Sequence, residues 1–358
     1  MKKKLTLLFM MLCCTKGFCQ QADPNTKKTQ SLVFPLIYCK PESGFAFGAG
    51  GRIFLMKHPN VYNNRFSDIT FIASYTTQGQ INLNFAPTIF LNDGDYILDL
   101  KFKYKKAPFS FWGLGSDNPD NAEEQFLMND FLIRAALLKR MGKDSYVGIE
   151  YLHQSYIINE VEEGGILDEQ DINGDAGAAV NGLGFVYRYD SRDNDSAPNS
   201  GAYIEFKNHV LENERTETWF TKNSIDVRKY IGISPKSVLA LQGYGEGTFG
   251  DAPFQMMAWY GGEDHGRGYH NGRMINNFLA MARAEYRYRF LPRWGAAVFG
   301  EVGGVSENLQ DVLKHANLSA GTGLRFQLSK KSPTLLRADI GVGQDGSTGF
   351  YLGINEVF

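Results

Sequence analysis

Cysteine is almost missing from this chain. Cys13, Cys14 and Cys19 fall in the first nineteen residues, which leaves Cys39 alone in the remainder. An exported form would have no internal disulfide, so its stability must come from the fold. Long apolar runs are missing as well: no later stretch reaches the roughly 18 residues that a spanning helix needs, and no transmembrane helix is expected. There is no excess of positive charge. The formal net charge is −2, and it becomes about −6 once Lys2, Lys3, Lys4 and Lys16 are removed, which argues against nucleic acid as a partner. No nucleophile stands in a recognisable arrangement with a base, so neither catalytic residues nor enzyme activity is expected.

Residues 1–19 combine lysines, an apolar run over 5–14 and small residues where a signal peptidase reads, which is the pattern of a secretory signal peptide. Lys16-Gly17-Phe18 before Cys19 is a poor lipidation signal. Residues 20–30 form a short polar leader expected in the periplasm, and residues 31–358 read as one domain. That domain is rich in glycine and aromatics, yet mean hydropathy is slightly negative. An outer-membrane β-barrel has this composition, because only the lipid-facing half of each strand must be apolar.

From Ser31 onward the sequence supports sixteen strands with no long helical pattern between them. The first covers about 32–40, turns at Glu42-Ser43-Gly44 and returns over 45–56. Alternation is clearest after Asn92-Asp93-Gly94, where Tyr96, Leu98, Leu100, Phe102 and Tyr104 oppose Asp99, Lys101, Lys103 and Lys105. A soluble sandwich also alternates; strand number, signal peptide and aromatic content favour the barrel. Short gaps (92–94, 142–144, 291–293, 329–333) alternate with long ones (107–124, 160–176, 251–272). That is how periplasmic turns and extracellular loops are distributed when the N-terminus lies inside. The expected fold is therefore all-β, a 16-stranded antiparallel transmembrane barrel in the bacterial outer membrane, bathed by outer-membrane lipids. The final strand over 350–358 places Phe350, Leu352, Ile354 and Phe358 on one face, and a terminal phenylalanine suits an interfacial girdle.

Four late strands carry charge on one face: Arg283, Glu285, Arg287 and Arg289; Phe299, Glu301 and Gly303; Arg325 with Gly321 and Gly323; Arg337 and Asp339 with Gly341 and Gly343. On the lipid side each Arg or Lys would cost about 2–4 kcal/mol near the midplane, so this face is assigned to the lumen. The glycine-rich gap Gly261 to Arg273 precedes these strands and holds Arg267 between two glycines. Read by residues alone, it is either a mobile surface loop or a plug whose arginine seeks Glu301, Glu285 or Asp339.

Arg267-Gly268-Tyr269, Phe299-Gly300-Glu301-Val302-Gly303 and the lead-in Gly261-Gly262 together resemble the BamA/TamA family of outer-membrane assembly barrels, the bacterial surface-antigen barrels. Asp190-Ser191-Arg192-Asp193-Asn194 with Pro198-Asn199-Ser200-Gly201 is similar to the family's periplasmic turn in mid-barrel, and residues 38–47 to its opening hairpin. The resemblance covers about 33–358. It implies an inward-folded sixth loop locked by Arg267 on Glu301, and a role in inserting, assembling or translocating outer-membrane or surface protein, or lipid, through a lateral seam. Two departures stand out. Gly266 occupies a position where the family carries a branched aliphatic, which implies a less firmly packed tip. The eleven leader residues cannot hold a polypeptide-transport (POTRA) repeat, so client outer-membrane proteins would be received with a separate periplasmic partner.

Pro35 lies in the first strand and cannot donate to a ladder. It either weakens the seam between first and last strands, where Phe358 also falls, or sits where its missing N–H is harmless, at the lumen or a bulge. Asp171-Ile172-Asn173-Gly174-Asp175 begins like a calcium loop, but Ala176 and Gly182 stand where glycine and glutamate are required. His265 and His270 form no metal motif. No metal and no cofactor is expected. Two other classes of function remain open on the residues: a passive pore constricted by the loop, and a structural or docking barrel for a periplasmic partner.

Overall fold

A computed structural model describes residues 30–40, 44–60, 65–329 and 332–358. The expected signal peptide over 1–19, the leader up to residue 29, Glu42-Ser43 in the first turn and Lys330-Lys331 in the expected turn over 329–333 lie outside the described residues. The strands are β1 (Gln30–Lys40), β2 (Gly44–Asn60), β3 (Arg65–Thr76), β4 (Ile81–Leu91), β5 (Tyr96–Phe111), β6 (Glu124–Arg140), β7 (Ser145–Glu160), β8 (Ala178–Asp190) and β9 (Gly201–Asn213). They continue as β10 (Thr218–Ser234), β11 (Ser237–Gly250), β12 (Ala258–Tyr260), β13 (Met274–Asn276), β14 (Phe278–Arg289), β15 (Trp294–Ser306), β16 (Asn317–Ser329), β17 (Ser332–Gly343) and β18 (Thr348–Ile354).

All but β12 and β13 pair in sequence order into one 16-stranded antiparallel sheet, the wall of a transmembrane β-barrel. Period-two alternation is what makes this wall amphipathic. In β14, Tyr286 and Tyr288 are exposed on the lipid face, while Arg283, Glu285 and Arg287 are buried on the lumen face. Leu83 and Phe85 in β4, Phe102 in β5 and Phe350 and Leu352 in β18 also face outward. Trp294 and Phe326 pack at 4.7 Å between ring centres beside the turn after β14, a girdle pair on the short-turn side.

Short turns close one end, and long loops cover the other. Those loops share an apolar core that closes the outer end: Leu167 and Ile172 from the β7–β8 loop and Phe254 and Met256 from the β11–β14 loop pack with Phe111 and Phe126 of the wall. The segment with calcium-like spacing belongs to this cap. The Asn173 carbonyl accepts from Phe254 N at 2.8 Å, and Asn173 Nδ2 donates to Asp251 Oδ1 at 2.8 Å.

The seam lies between β1 and β18, the two ends of the sheet order. Pro35 pairs with Ala49 of β2, and the β1–β2 register runs without a shift from Gln30 to Lys40. Pro35 is exposed on the outer face, so it sits at neither a bulge nor a lumen position; it removes one donor from the first strand. The expected place of Phe358 requires a correction. β18 ends at Ile354, and Asn355 takes the left-handed conformation at φ 65°. The chain leaves the wall there and carries Phe358 inside, 2% exposed against Tyr230, Val238 and Ala240. It is neither a girdle nor a seam residue. A non-glycine residue at positive φ breaks the period-two phase, which cancels any face assignment carried past it.

Candidate functional site: the arginine of the inward loop

The loop between β11 and β14 enters the barrel on a small hairpin, β12 with β13, in which Trp259 pairs with Ile275. The loop between β5 and β6 holds its root. Gly115 N donates to Ile275 O at 2.8 Å, and Arg273 Nη2 donates to Asn118 O at 2.6 Å. Beyond the hairpin the tip is fully enclosed, with Arg267 at 0% exposed and Tyr269 at 2%.

Arg267 meets three carboxylates from three strands. Nε donates to Glu301 Oε1 of β15 at 2.6 Å; Nη1 donates to Glu285 Oε2 of β14 at 2.9 Å and to Asp339 Oδ2 of β17 at 2.8 Å. The second Glu301 oxygen accepts the main-chain N–H groups of Gly266 and Arg267 at 3.1 and 3.0 Å. The guanidinium lies 3.4 Å from the centre of the Phe299 ring, so the cation also rests on a π face. The Phe-x-Glu-x-Gly spacing works because 299, 301 and 303 share the lumen face: the ring lies under the cation, the carboxylate grips it, and Gly303 leaves room. A Cβ on Gly303 would stand 2.7 Å from the Tyr260 ring.

The following residues anchor the tip to the last three strands. Gly268 N donates to the Tyr351 hydroxyl at 2.9 Å, and Tyr269 Oη donates to Leu318 O at 2.7 Å while accepting from Gln344 N at 3.0 Å. Gly268 has φ +116°, and on the facing wall a Cβ on Gly341 would lie 2.9 Å from the Arg267 carbonyl carbon. Gly266 has φ +98° and packs on the Tyr260 ring, which a Cβ would approach to 2.8 Å. The tip is therefore closely packed at Gly266, contrary to the expectation of a looser one: Tyr260 fills the space, and the backbone conformation there disfavours a branched side chain.

A profile of the Omp85 superfamily domain matches residues 64–358. The chain belongs to the Omp85 superfamily. Its fold is similar to solved barrels of the outer membrane. One is BamA from Haemophilus ducreyi lacking POTRA domains 1–3, at TM-score 0.59 and 14% identity, covering 92% of this chain and 70% of that one. CdiB from Acinetobacter baumannii matches at TM-score 0.55 and 12% identity, over 92% of this chain and 60% of its own. CdiB from Escherichia coli matches at 0.57 and 11%, over 93% and 63%. A sequence search of curated proteins returns no match.

In this Omp85 barrel the other lumen charges extend the Arg267 cluster. Arg287 Nε donates to Glu285 Oε1 at 2.8 Å, Arg325 Nη2 to the same oxygen at 3.2 Å, and Arg337 Nη1 to Asp339 Oδ2 at 2.8 Å. Arg325 also pairs with Asp339, and Arg337 with Glu263 of the loop. Arg283 donates to Gln242 Oε1 at 2.6 Å and to the Asp264 carbonyl at 3.0 Å. Removing any one charge leaves the others poorly compensated in a low-dielectric setting.

Glu356, Asp195 and Ser196 carried no sequence signal of their own, and Phe358 was expected elsewhere. Glu356 accepts from Arg325 Nε at 2.8 Å, and the Phe358 main-chain oxygen accepts from Arg287 Nη2 at 2.9 Å, both from the tail that turns inward. The turn over 191–200 reaches toward both sides of the seam. Arg52 of β2 donates to Ser196 Oγ at 2.6 Å and to Asp195 Oδ2 at 2.5 Å, and Glu356 N donates to Ser196 O at 3.0 Å.

Proposed function

We propose that this barrel acts in the insertion, assembly or translocation of polypeptide at the outer membrane, with the Arg267 loop held in the lumen and passage through the β1–β18 seam. The reading rests on one observation above all: Arg267 is fully enclosed and shared by Glu285, Glu301 and Asp339. A lumen blocked by so costly a buried charge is a poor route for passive solute flow, whereas Pro35 removes a donor from the strand at the seam. Family membership and the BamA and CdiB likeness support a role with protein rather than catalysis. On this reading Arg267, Gly268, Tyr269, Phe299, Glu301 and Gly303 form the lock, and Glu285, Arg287, Arg325, Arg337 and Asp339 complete its charge balance. Client proteins, surrounding lipids and a separate periplasmic partner are the proposed associates.

Depletion of the protein, followed by a census of outer-membrane proteins and lipids, tests this function. Selective loss of particular proteins is the expected outcome; an unchanged census rejects it. A disulfide engineered between β1 and β18 should abolish the activity and be reversed by reductant. A passive pore would pass solute equally well with the staple closed.

A further inference from the structure

Below the Arg267 cluster, at the short-turn end, the wall encloses a chamber of about 220 Å³. Its rim comes from the turns at 197–199, 235–236 and 293–295, and its sides include Arg287, Arg289, Arg325, Val238, Leu335 and Glu356. Its charge is unbalanced. Glu356 is already engaged by Arg325 at 2.8 Å and lies 3.7 Å from Arg287. Lys236, Arg289 and Arg293 also line the chamber, and among the described residues none of them pairs with a carboxylate. Arg289 Nη2 donates to Pro235 O at 2.8 Å. Arg293 donates through Nε and Nη2 to the carbonyls of Gln327 and Leu328 at 2.8 and 2.7 Å. These bonds hold two guanidinium groups at the rim with no carboxylate partner among the described residues, and the Arg293 guanidinium also lies 4.5 Å from the centre of the Phe326 ring.

The depth of the chamber lies on the lumen side, beside Arg287, Arg325 and Glu356, while Tyr288 and Trp294 also line its edge. Arg287 and Arg289 alternate with Tyr286 and Tyr288, which lie on the lipid face, and the girdle pair Trp294 and Phe326 marks where lipid headgroups would lie. Inside, Val238 and Leu335 are nearly buried and supply an apolar floor beneath the cationic rim.

We infer that this chamber binds carboxylates of an acidic polypeptide segment entering from the periplasm. A guanidinium fork pairs bidentately with a carboxylate, the rim lysine steers an approaching anion, and the apolar floor takes the aliphatic part of a glutamate or its neighbour. A phospholipid headgroup shares the anionic chemistry and would meet the edge beside Tyr288 and Trp294, whereas the depth beside Arg287, Arg325, Val238 and Leu335 favours a segment in the lumen, and the test separates the two. The inference rests on the reading that this barrel handles polypeptide, and it adds the charge class of the segment and the place it docks.

The test uses the full barrel in micelles of uncharged detergent, with a fluorescent glutamate-rich peptide and the matching glutamine-rich peptide as probes. Anisotropy should report salt-sensitive binding of the first and none of the second. Lys236→Glu, whose side chain holds nothing in place, should weaken binding about tenfold, as reversal of a steering charge does, and Arg289→Gln should weaken it further. Heat-modifiable migration on gels confirms that each variant is folded. Equal binding of the two peptides, or no loss in folded Lys236→Glu and Arg289→Gln, overturns the inference. So does displacement of the peptide by short-chain phosphatidylglycerol at lower concentration than unlabelled peptide, because the chamber would then be a headgroup site. Peptide binding with an unchanged census on depletion would reject the proposed function alone; a changed census without peptide binding would reject only the chamber.

Discussion

Glu301 holds Arg267 twice over. One carboxylate oxygen takes the side-chain Nε at 2.6 Å, and the other takes the main-chain N–H of the same residue at 3.0 Å. A single side chain of the wall thus engages both the side chain and the main chain of the loop tip. Arg267→Ala removes the cation shared by three buried acids, and undocking of the tip should become easier by about 3–5 kcal/mol. The expected readout is higher conductance in planar bilayers. Unchanged conductance in a folded variant would contradict the lock.

Close packing gives a second test. Gly341→Ala places a methyl 2.9 Å from the Arg267 carbonyl carbon and from Gly268 N, whereas a methyl at Gly300 meets nothing within 4 Å. Gly341→Ala should destabilise the docked tip by about 1–3 kcal/mol, and Gly300→Ala should be neutral. Protease sensitivity over 262–273 compares them directly.

The turn over 191–200 is open to the same treatment. Asp195 is partly exposed, and its removal leaves Arg52 paired with Asp68 at 2.8 Å. Asp195→Asn should therefore cost only about 1 kcal/mol, seen as faster amide exchange within 191–200 while the rest of the wall is unchanged. Faster exchange spread evenly over the barrel would argue against a local tie.

Acid should loosen the tip. Burial holds His265 below its ordinary value of 6.5, and this outweighs the nearby Asp264, Glu246 and Asp226; Arg283 acts in the same direction as burial. The ring stacks on Tyr244 at 4.2 Å. Because the docked state prefers neutral histidine, its contribution is complete above the ordinary value and is lost as pH falls through the lowered one. Amide exchange of residues 266–269 should accelerate across that fall, and His265→Gln should flatten the dependence.

Much of this architecture could be read from the chain because strand parity is a strict code: once Tyr286 and Tyr288 are assigned to lipid, Arg283, Glu285 and Arg287 must face the lumen. Parity likewise brought Phe299, Glu301 and Gly303 onto the face that receives Arg267. Parity does not say how many carboxylates one guanidinium can reach, and the structure gives it three where Glu301 alone was favoured. Phe358 was misplaced because one residue at positive φ, Asn355, resets the alternation. The ties of Arg52 to Asp195 and Ser196 span 143 and 144 residues, and no local pattern encodes a contact across the mouth of a barrel.

The anchors of the loop tip are unevenly distributed around the wall. Glu285, Glu301, Leu318, Asp339, Gln344 and Tyr351 all lie on β14 to β18 or just beyond β17, on one side of the seam. In mechanical terms the tip of the plug is cargo of the C-terminal half, while its root is tied to the β5–β6 loop. Were β18 to swing away from β1, the tip would travel with it, so widening the gate would not by itself unblock the pore. Lateral release and axial leakage are, by this construction, separate degrees of freedom.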